Sequence, residues 1–498
     1  MISSGTLVLA LLVLGVTAMG FLAKRWRRAD LNSIEEWALG GRRFGTVVSW
    51  FLLGGDLYTA YTFIAVPALV YGVGALGFFA VPYATIAYPI ALVVLSRFWS
   101  VARARGYVTS ADFVRDRFAD RSLEVAVALT GVLAAMPYIA LQLDGMQAVF
   151  VQVGGASNAA GSFIALAVAF VLLAAYTYTS GLRAPAMIAF VKDTLIYVTV
   201  IAAIVVIPAR LGGWARIFAL AQAHFAAHPG SGGLYLAPSQ YFAYASMALG
   251  SSLSLFFYPH AITSVLAAKS RDVIRRNAAL LPIYSILLGF LALLGFCGIA
   301  AGIVTSNSSS VVPLLIARYF PSWFVGVAQA AIVIGALVPA AIMAIGAANL
   351  FANNVLAHFH ADRAHRDATV AKRLTVAICA LALGLVFAVP VQYAIYFQLL
   401  GGAWMLQIFP AFVLGLYTRW FHPKALLLGW CCGMAAAGAM AYATGFKPNY
   451  TLHILGQSLT GFLALYALAI NLAVTVVVTL LLRAVGSMSR GTSIGELA

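Results

Sequence analysis

Thirteen apolar runs, most of them twenty residues or longer, follow one another along the chain at 5–24, 46–72, 75–98, 122–152, 159–180, 184–208, 240–264, 278–304, 322–352, 373–392, 395–418, 424–444 and 457–483. About 20 residues at 1.5 Å rise cross the hydrocarbon core of a bilayer. Hydrocarbon offers no partner for backbone polar groups, so a spanning segment of this kind is a helix. The balance of residues agrees, with 63% apolar and 9% charged over 498 residues; a soluble domain carries about a quarter charged residues. The expectation is an all-α membrane protein with thirteen transmembrane helices.

The formal net charge of +16 would suggest nucleic acid if it were gathered on a soluble face. Instead it alternates with the spans. Lys24, Arg25, Arg27, Arg28, Arg42 and Arg43 follow the first run, and Arg97, Arg103, Arg105, Arg115, Arg117 and Arg121 follow the third. Lys269, Arg271, Arg275 and Arg276, then Arg363, Arg366, Lys372 and Arg373, fall on the same side, whereas Arg210, Arg216, Arg318 and Lys447 fall on the other. By the positive-inside rule the N-terminus is outside and the C-terminus cytoplasmic, in a bacterial-type inner membrane. The basic charge orients the chain, and no nucleic-acid partner is implied. The first run lacks a basic n-region and its cluster KRWRR comes after it, so it reads as a retained helix rather than a signal peptide.

The gaps hold no soluble domain. The segment 209–239 is expected to form a short interfacial helix before a glycine-rich turn, and the tail RGTSIGELA reads as disordered. Cys297, Cys379, Cys431 and Cys432 fall inside apolar runs at no metal-ligand spacing and read as small core residues. His358, His360 and His365 lie in a basic loop and read as solvated. No metal, cofactor or Walker-type loop is expected. A dozen helices without a nucleotide site point to a secondary transporter rather than an enzyme or an ATP-driven pump.

Such folds bind solute near the midplane, where helices are broken. Two runs carry suitable punctuation. The second has Gly54–Gly55 beside Asp56, with Pro67 further on; the seventh has Gly250–Ser251–Ser252 and then Pro259–His260. They are five runs apart, as the first helices of two inverted five-helix repeats would be.

Four stretches carry a resemblance. EEWALGGRRFG at 35–45, TSADFVRDRF at 109–118, VLAAKSRDVIRRN at 265–277 and GLYTRWFHPKALLLGWCCG at 415–433 resemble, in order, motifs of the sodium–solute symporter family. The tyrosines of the first broken run and the Pro-His pair look most like its bacterial monocarboxylate permease branch. The resemblance implies a LeuT-type five-plus-five core with extra helices at both ends: 1–45 as an extra helix and loop, 46–208 as the first repeat, 209–418 as the second, and 419–498 as two further helices and a tail. It also implies a sodium site built from carbonyls of the first core helix and hydroxyls of the eighth. Here those hydroxyl positions fall on Val338, Pro339 and Ala341, and no Ser or Thr occurs between Ser322 and Ala352. A hard cation needs oxygen ligands, so the family's usual site is expected to be missing.

Three acidic residues lie well inside the runs, Asp56, Asp144 and Asp193, each costing about 2.5–3.5 kcal/mol on insertion scales unless paired. Asp193 sits where the resemblance implies an aspartate near the inward path, and Lys192 beside it departs from the family. Adjacent helical side chains point about 100° apart, so the two are not expected to pair well with each other. Three readings stay open for Lys192. It snorkels toward the cytoplasm, about 13 Å along the helix past Arg183; it fills the cation site and exchanges a proton; or it is a static partner. Asp56 is either a cap or an ion or substrate ligand, and Asp144 is either structural or coupled.

For the solute, Tyr58, Thr59, Tyr61, Thr62 and Tyr258 offer hydroxyls, His260 either satisfies carbonyls or meets a carboxylate, and Gln398, Trp404 and Gln407 can complete a pocket. The expected activity is proton-coupled, Na+-independent import of small monocarboxylates such as lactate or pyruvate. The competing readings are a Na+-coupled symporter of another small solute, with its ion on Asp56 or Asp193, and a channel or transporter-like sensor. Expected partners are a small organic anion and membrane lipid; the sequence leaves the oligomeric state open.

Overall fold

The structure is a computed structural model that describes residues 3–26, 29–55, 59–154, 159–358, 368–388, 395–454 and 456–486. Each of the thirteen apolar runs carries helix. Among the described residues, eight helices are individually long and apolar enough to cross a membrane, or nine if the bent pair Ile395–Ile408 and Pro410–Tyr417 is one span. The broken runs fall short of that length because each is divided into two shorter helices.

The depth order follows composition. Ser322–Asn354, rich in Ala and Gly, is buried along the whole of its apolar window, Arg121–Gly154 along 78% of its own, and Ser4–Arg25 and Leu463–Ala484 along only 28% each. Small side chains let neighbouring backbones approach closely, which is how helices associate where no hydrophobic drive operates. Ser322–Asn354 accordingly packs against Arg121–Gly154, Ser4–Leu22, Arg183–Arg210 and Thr369–Ala388.

Three expectations are corrected. The seventh run does not break at Gly250–Ser252, which lies within the continuous helix Tyr241–Leu255. Ser252 Oγ there donates to Ala248 O (2.6 Å) and Tyr83 O (2.7 Å). The break falls at Phe256–Tyr258, because Pro259 has no N–H to continue the ladder and instead opens the next helix, Pro259–Leu266. The last run is not helical throughout: Asn449–Ile454 and Gln457–Phe462 form an antiparallel hairpin with Thr451 opposite Thr460, and helix begins only at Leu463. The chain is therefore not strictly all-α. Cys297 and Cys379 are core residues as expected, but Cys431 and Cys432 are exposed, on a helix whose small-residue face turns inward. The expected helix in 209–239 is present, at Trp214–Ala227. The tail 490–498 lies outside the described residues.

The sequence motifs hold one end of the bundle together. Phe44 N donates to Ala267 O (3.1 Å) and Lys269 N to Phe44 O (2.9 Å), a short parallel bridge joining two of the motifs across the fold. Arg42 pairs with Glu35 (2.7 Å) and donates to Tyr107 O (2.7 Å); Arg183, buried, pairs with Glu36. In the second motif, Thr109 and Asp112 form a capping box. Asn354, at the end of the central helix, donates to Asp112 Oδ1 (2.7 Å) and Glu124 Oε1 (2.8 Å).

Candidate functional site

The first broken helix ends at Gly55 and resumes as a π-turn at Tyr61–Ala65 that runs on into Val66–Val73. A helix that stops in the bundle leaves its last carbonyls unpaired. One of them is met by a charge: Lys192 Nζ donates to Gly55 O at 2.6 Å. The same ammonium stands 2.9 Å from Asp193 Oδ1, both side chains being fully buried. Lys192 therefore does not snorkel, and the expectation that the neighbours would not pair is also overturned. The long lysine stem curls back across the angle that separates adjacent helical positions. Tyr284 OH donates to the other carboxylate oxygen, Asp193 Oδ2, at 3.3 Å.

Gly54 and Gly55 make this possible. A Cβ at Gly55 would lie 2.7 Å from Lys192 Nζ, and one at Gly54 would lie 2.5 Å from the phenol carbon and oxygen of Tyr284. The glycine pair thus lets a lysine and a tyrosine from two other helices reach the broken end. Val338, Pro339 and Ala341 are buried in Ser322–Asn354. That helix packs on the lysine's own helix, with Gly335 facing Ile196. Asp56 and Tyr58 lie outside the described residues, as do His360, His365 and the side chain of His358.

Thr59 and Thr62 use their hydroxyls to restart the helix. Thr62 Oγ1 donates to Thr59 O (2.9 Å) and accepts from Thr59 N (3.1 Å), while Thr59 Oγ1 accepts from Tyr61 N (3.0 Å). Gln142, buried on the long helix Arg121–Gly154, takes Ala60 N at 3.1 Å. This is the capping job that orphan N–H groups require, and sequence reading missed Gln142 because its partner is 82 residues away. Asp144 accepts from Ser309 Oγ at 2.8 Å and meets no described cation.

Next to the ion pair, Tyr61, Thr62, Tyr83, Ala84, Tyr88, Tyr138, Tyr284 and Leu288 line a narrow cavity. Tyr61 and Tyr83 meet edge to face at 6.0 Å, and the buried Tyr61 hydroxyl has no hydrogen-bond partner among the described residues. Sequence reading anticipated Tyr61 and missed Tyr83, Tyr88, Tyr138 and Tyr284. Tyrosines spread over several runs look like ordinary packing until the fold gathers them. Tyr284 is the shared wall, lining the cavity with its ring and reaching Asp193 with its hydroxyl.

The second break brings Tyr258, His260 and Gln398 together. Tyr258 OH donates to Gln398 O at 3.2 Å, and the His260 ring lies 5.3 Å from Tyr258 and 5.5 Å from Tyr138. Both ring nitrogens of His260 and both side-chain polar atoms of Gln398 are buried and have no hydrogen-bond partner among the described residues. His260 therefore does not satisfy carbonyls of the break, the bland alternative considered for it. Unpaired buried polar groups are costly, and Tyr258 contacts both residues that carry them. Gln407 is turned elsewhere: Asn471 donates to its backbone O (2.8 Å) and Oε1 (3.2 Å), tying it to the last helix. Trp404 is half-buried against the core. Among the described residues no cluster of His, Cys, Asp or Glu could hold a metal ion.

Residues 37–433 match a profile described as the sodium:solute symporter family. The chain is 51% identical over 472 residues to a monocarboxylate transport permease protein of Rhizobium johnstonii, covering 94% of this chain and 95% of that one. It is 36% identical to an uncharacterized symporter, YodF, of Bacillus subtilis, over 86% of each. Among solved structures, a Na+-coupled sialic acid symporter in a substrate-bound outward-open state superposes with a TM-score of 0.77 at 16% identity, over 99% of both chains. That likeness shows a common fold.

Proposed function

The chain belongs to the sodium:solute symporter family, and from that premise we propose that it imports small monocarboxylates together with protons by alternating access. One observation carries the coupling half of the reading: the buried Lys192 ammonium sits 2.6 Å from Gly55 O. The family resemblance implies sodium at the carbonyls of this helix. A protonated lysine supplies the positive charge there, and the hydroxyls a sodium ion would need are replaced by Val338, Pro339 and Ala341. The ammonium bridges Gly55 O and Asp193, tying Thr46–Gly55 to Arg183–Arg210. When its proton leaves, the charge that holds the bridge goes with it, and the two helices are free to separate. That contact is the two-state element a coupling ion must bias.

The solute half rests on the high identity to a protein named for monocarboxylate transport and on the pocket's chemistry. A short carboxylate would find the unpaired polar atoms of Tyr61, His260 and Gln398, with tyrosine rings as the apolar wall. Thirteen crossings, ten of them in two inverted five-helix repeats and three outside the core, with the N-terminus outside, complete the reading. Purified protein in proteoliposomes, given radiolabelled lactate, tests it. A pH gradient, acidic on the side of entry, should drive accumulation without Na+. Accumulation driven by a Na+ gradient and indifferent to pH would sink the proton model.

A further inference from the structure

Away from the cavity, a second pocket opens at the basic end of the bundle, lined by Leu92, Val93, Ser96, Arg97, Arg271, Arg275 and Tyr417. Three arginines from two helices meet there, and none forms an ion pair with a described carboxylate. Arg97 Nε and Arg271 Nε are buried without a hydrogen-bond partner among the described residues. A guanidinium N–H so placed asks for an acceptor, and the fork geometry of arginine suits the oxygens of a phosphate.

Local structure fixes the arrangement. The helix carrying Arg97 passes through a π-turn at Ala91–Leu95, after Pro89. Tyr417 OH donates to Val93 O at 3.2 Å, and the Arg97 guanidinium lies 4.8 Å over the Tyr417 ring. Arg271 opens the helix Arg271–Leu280, capped by Ser270, so the positive end of a helix dipole adds to the side-chain charge. The field extends behind the pocket. Burial first, then Arg419 and Arg97, lower the pKa of Arg117 on the neighbouring loop helix.

The pocket's other wall is greasy and open. Val93 is 58% and Leu92 40% exposed, on a helix the sequence places in the membrane. Cations beside exposed apolar side chains match a ligand with a phosphate head and a hydrocarbon body. We propose that this pocket binds the headgroup of an anionic phospholipid, with the arginines on the phosphate and the acyl chains along Leu92 and Val93.

Native mass spectrometry of the purified full chain tests it, with phosphatidylglycerol, phosphatidylethanolamine and inorganic phosphate as separate probes. Phosphatidylglycerol should be retained over phosphatidylethanolamine, and millimolar inorganic phosphate should not displace it. Each arginine removed should weaken retention about fivefold, the scale of one cation near an anionic surface, so Arg97→Gln with Arg271→Gln should lose about 25-fold. Arg275→Gln alone, at an exposed position, should lose about fivefold and covers the event that the double variant misfolds. Equal retention of both lipids, displacement by phosphate, or unchanged phosphatidylglycerol binding in Arg275→Gln and the double variant would each overturn the proposal.

Discussion

The two broken helices are alike in outline and opposite in chemistry. At the first, Gly55 O, Lys192, Asp193 and Tyr284 are joined by an ion pair and two hydrogen bonds, with Asp193 Oδ1 meeting the ammonium as an ion pair. At the second, His260 and Gln398 are just as buried but hold four polar atoms with no described hydrogen-bond partner. A cluster built on an internal ion pair changes by moving a proton or a helix. An unsatisfied one is completed by a ligand. On the proposed function, coupling belongs to the ion pair at the first break and solute recognition to the Tyr61 cavity and the second break, and substitutions should separate them.

Lys192→Ala should have the largest effect. It strands a buried carboxylate, which costs about 3–5 kcal/mol when one member of such a pair is removed. Gradient-driven lactate accumulation should vanish while lactate exchange persists; unchanged accumulation would return Lys192 to a purely structural role. Gly55→Ala comes next. The new methyl would meet Lys192 Nζ at 2.7 Å, an overpacking expected to cost about 1–3 kcal/mol, read as a lower melting temperature and weaker coupling together. Tyr284→Phe keeps the ring against Gly54 and removes one bond to the carboxylate, about 1.5 kcal/mol. The melting temperature should fall modestly and the pH dependence of uptake should shift, and a pH profile identical to wild type would detach Tyr284 from coupling.

Thr62→Val removes a cap from the resumed helix, about 1 kcal/mol, and should lower stability without altering the ratio of accumulation to exchange. His260→Leu should move stability least. No hydrogen bond is lost and two unpaired polar atoms are removed, so a thermal melt should be unchanged or slightly raised. The KM for lactate should rise instead. A wild-type KM in that variant would break the assignment of the second break to solute.

The membrane class and the thirteen apolar runs were legible in the sequence because a bilayer dictates segment length and polarity, and each run does carry helix. The break after Gly55 was legible too, since two glycines beside an acid weaken a helix wherever it lies. Of the two candidate points in the seventh run, Gly250–Ser252 stays helical because membrane helices tolerate Gly and Ser, and Pro259, with no N–H to give, sets the boundary. The hairpin at 449–462 was missed because an apolar count does not separate strand from helix.

The chain by itself also determined which residues are out of place: a lysine next to an aspartate in grease, and a helix without hydroxyls where the resemblance implies them. It could not say where Lys192 points. Snorkelling and inward reach differ only in the rotamers of a flexible stem, and the choice depends on whether a free carbonyl waits within reach. That carbonyl, Gly55 O, lies 137 positions away in the chain, and only packing brings it there. The same holds for the tyrosine cavity and for the arginines around Tyr417. Composition fixes what a segment is buried in, whereas partners far apart in sequence are chosen by tertiary contact.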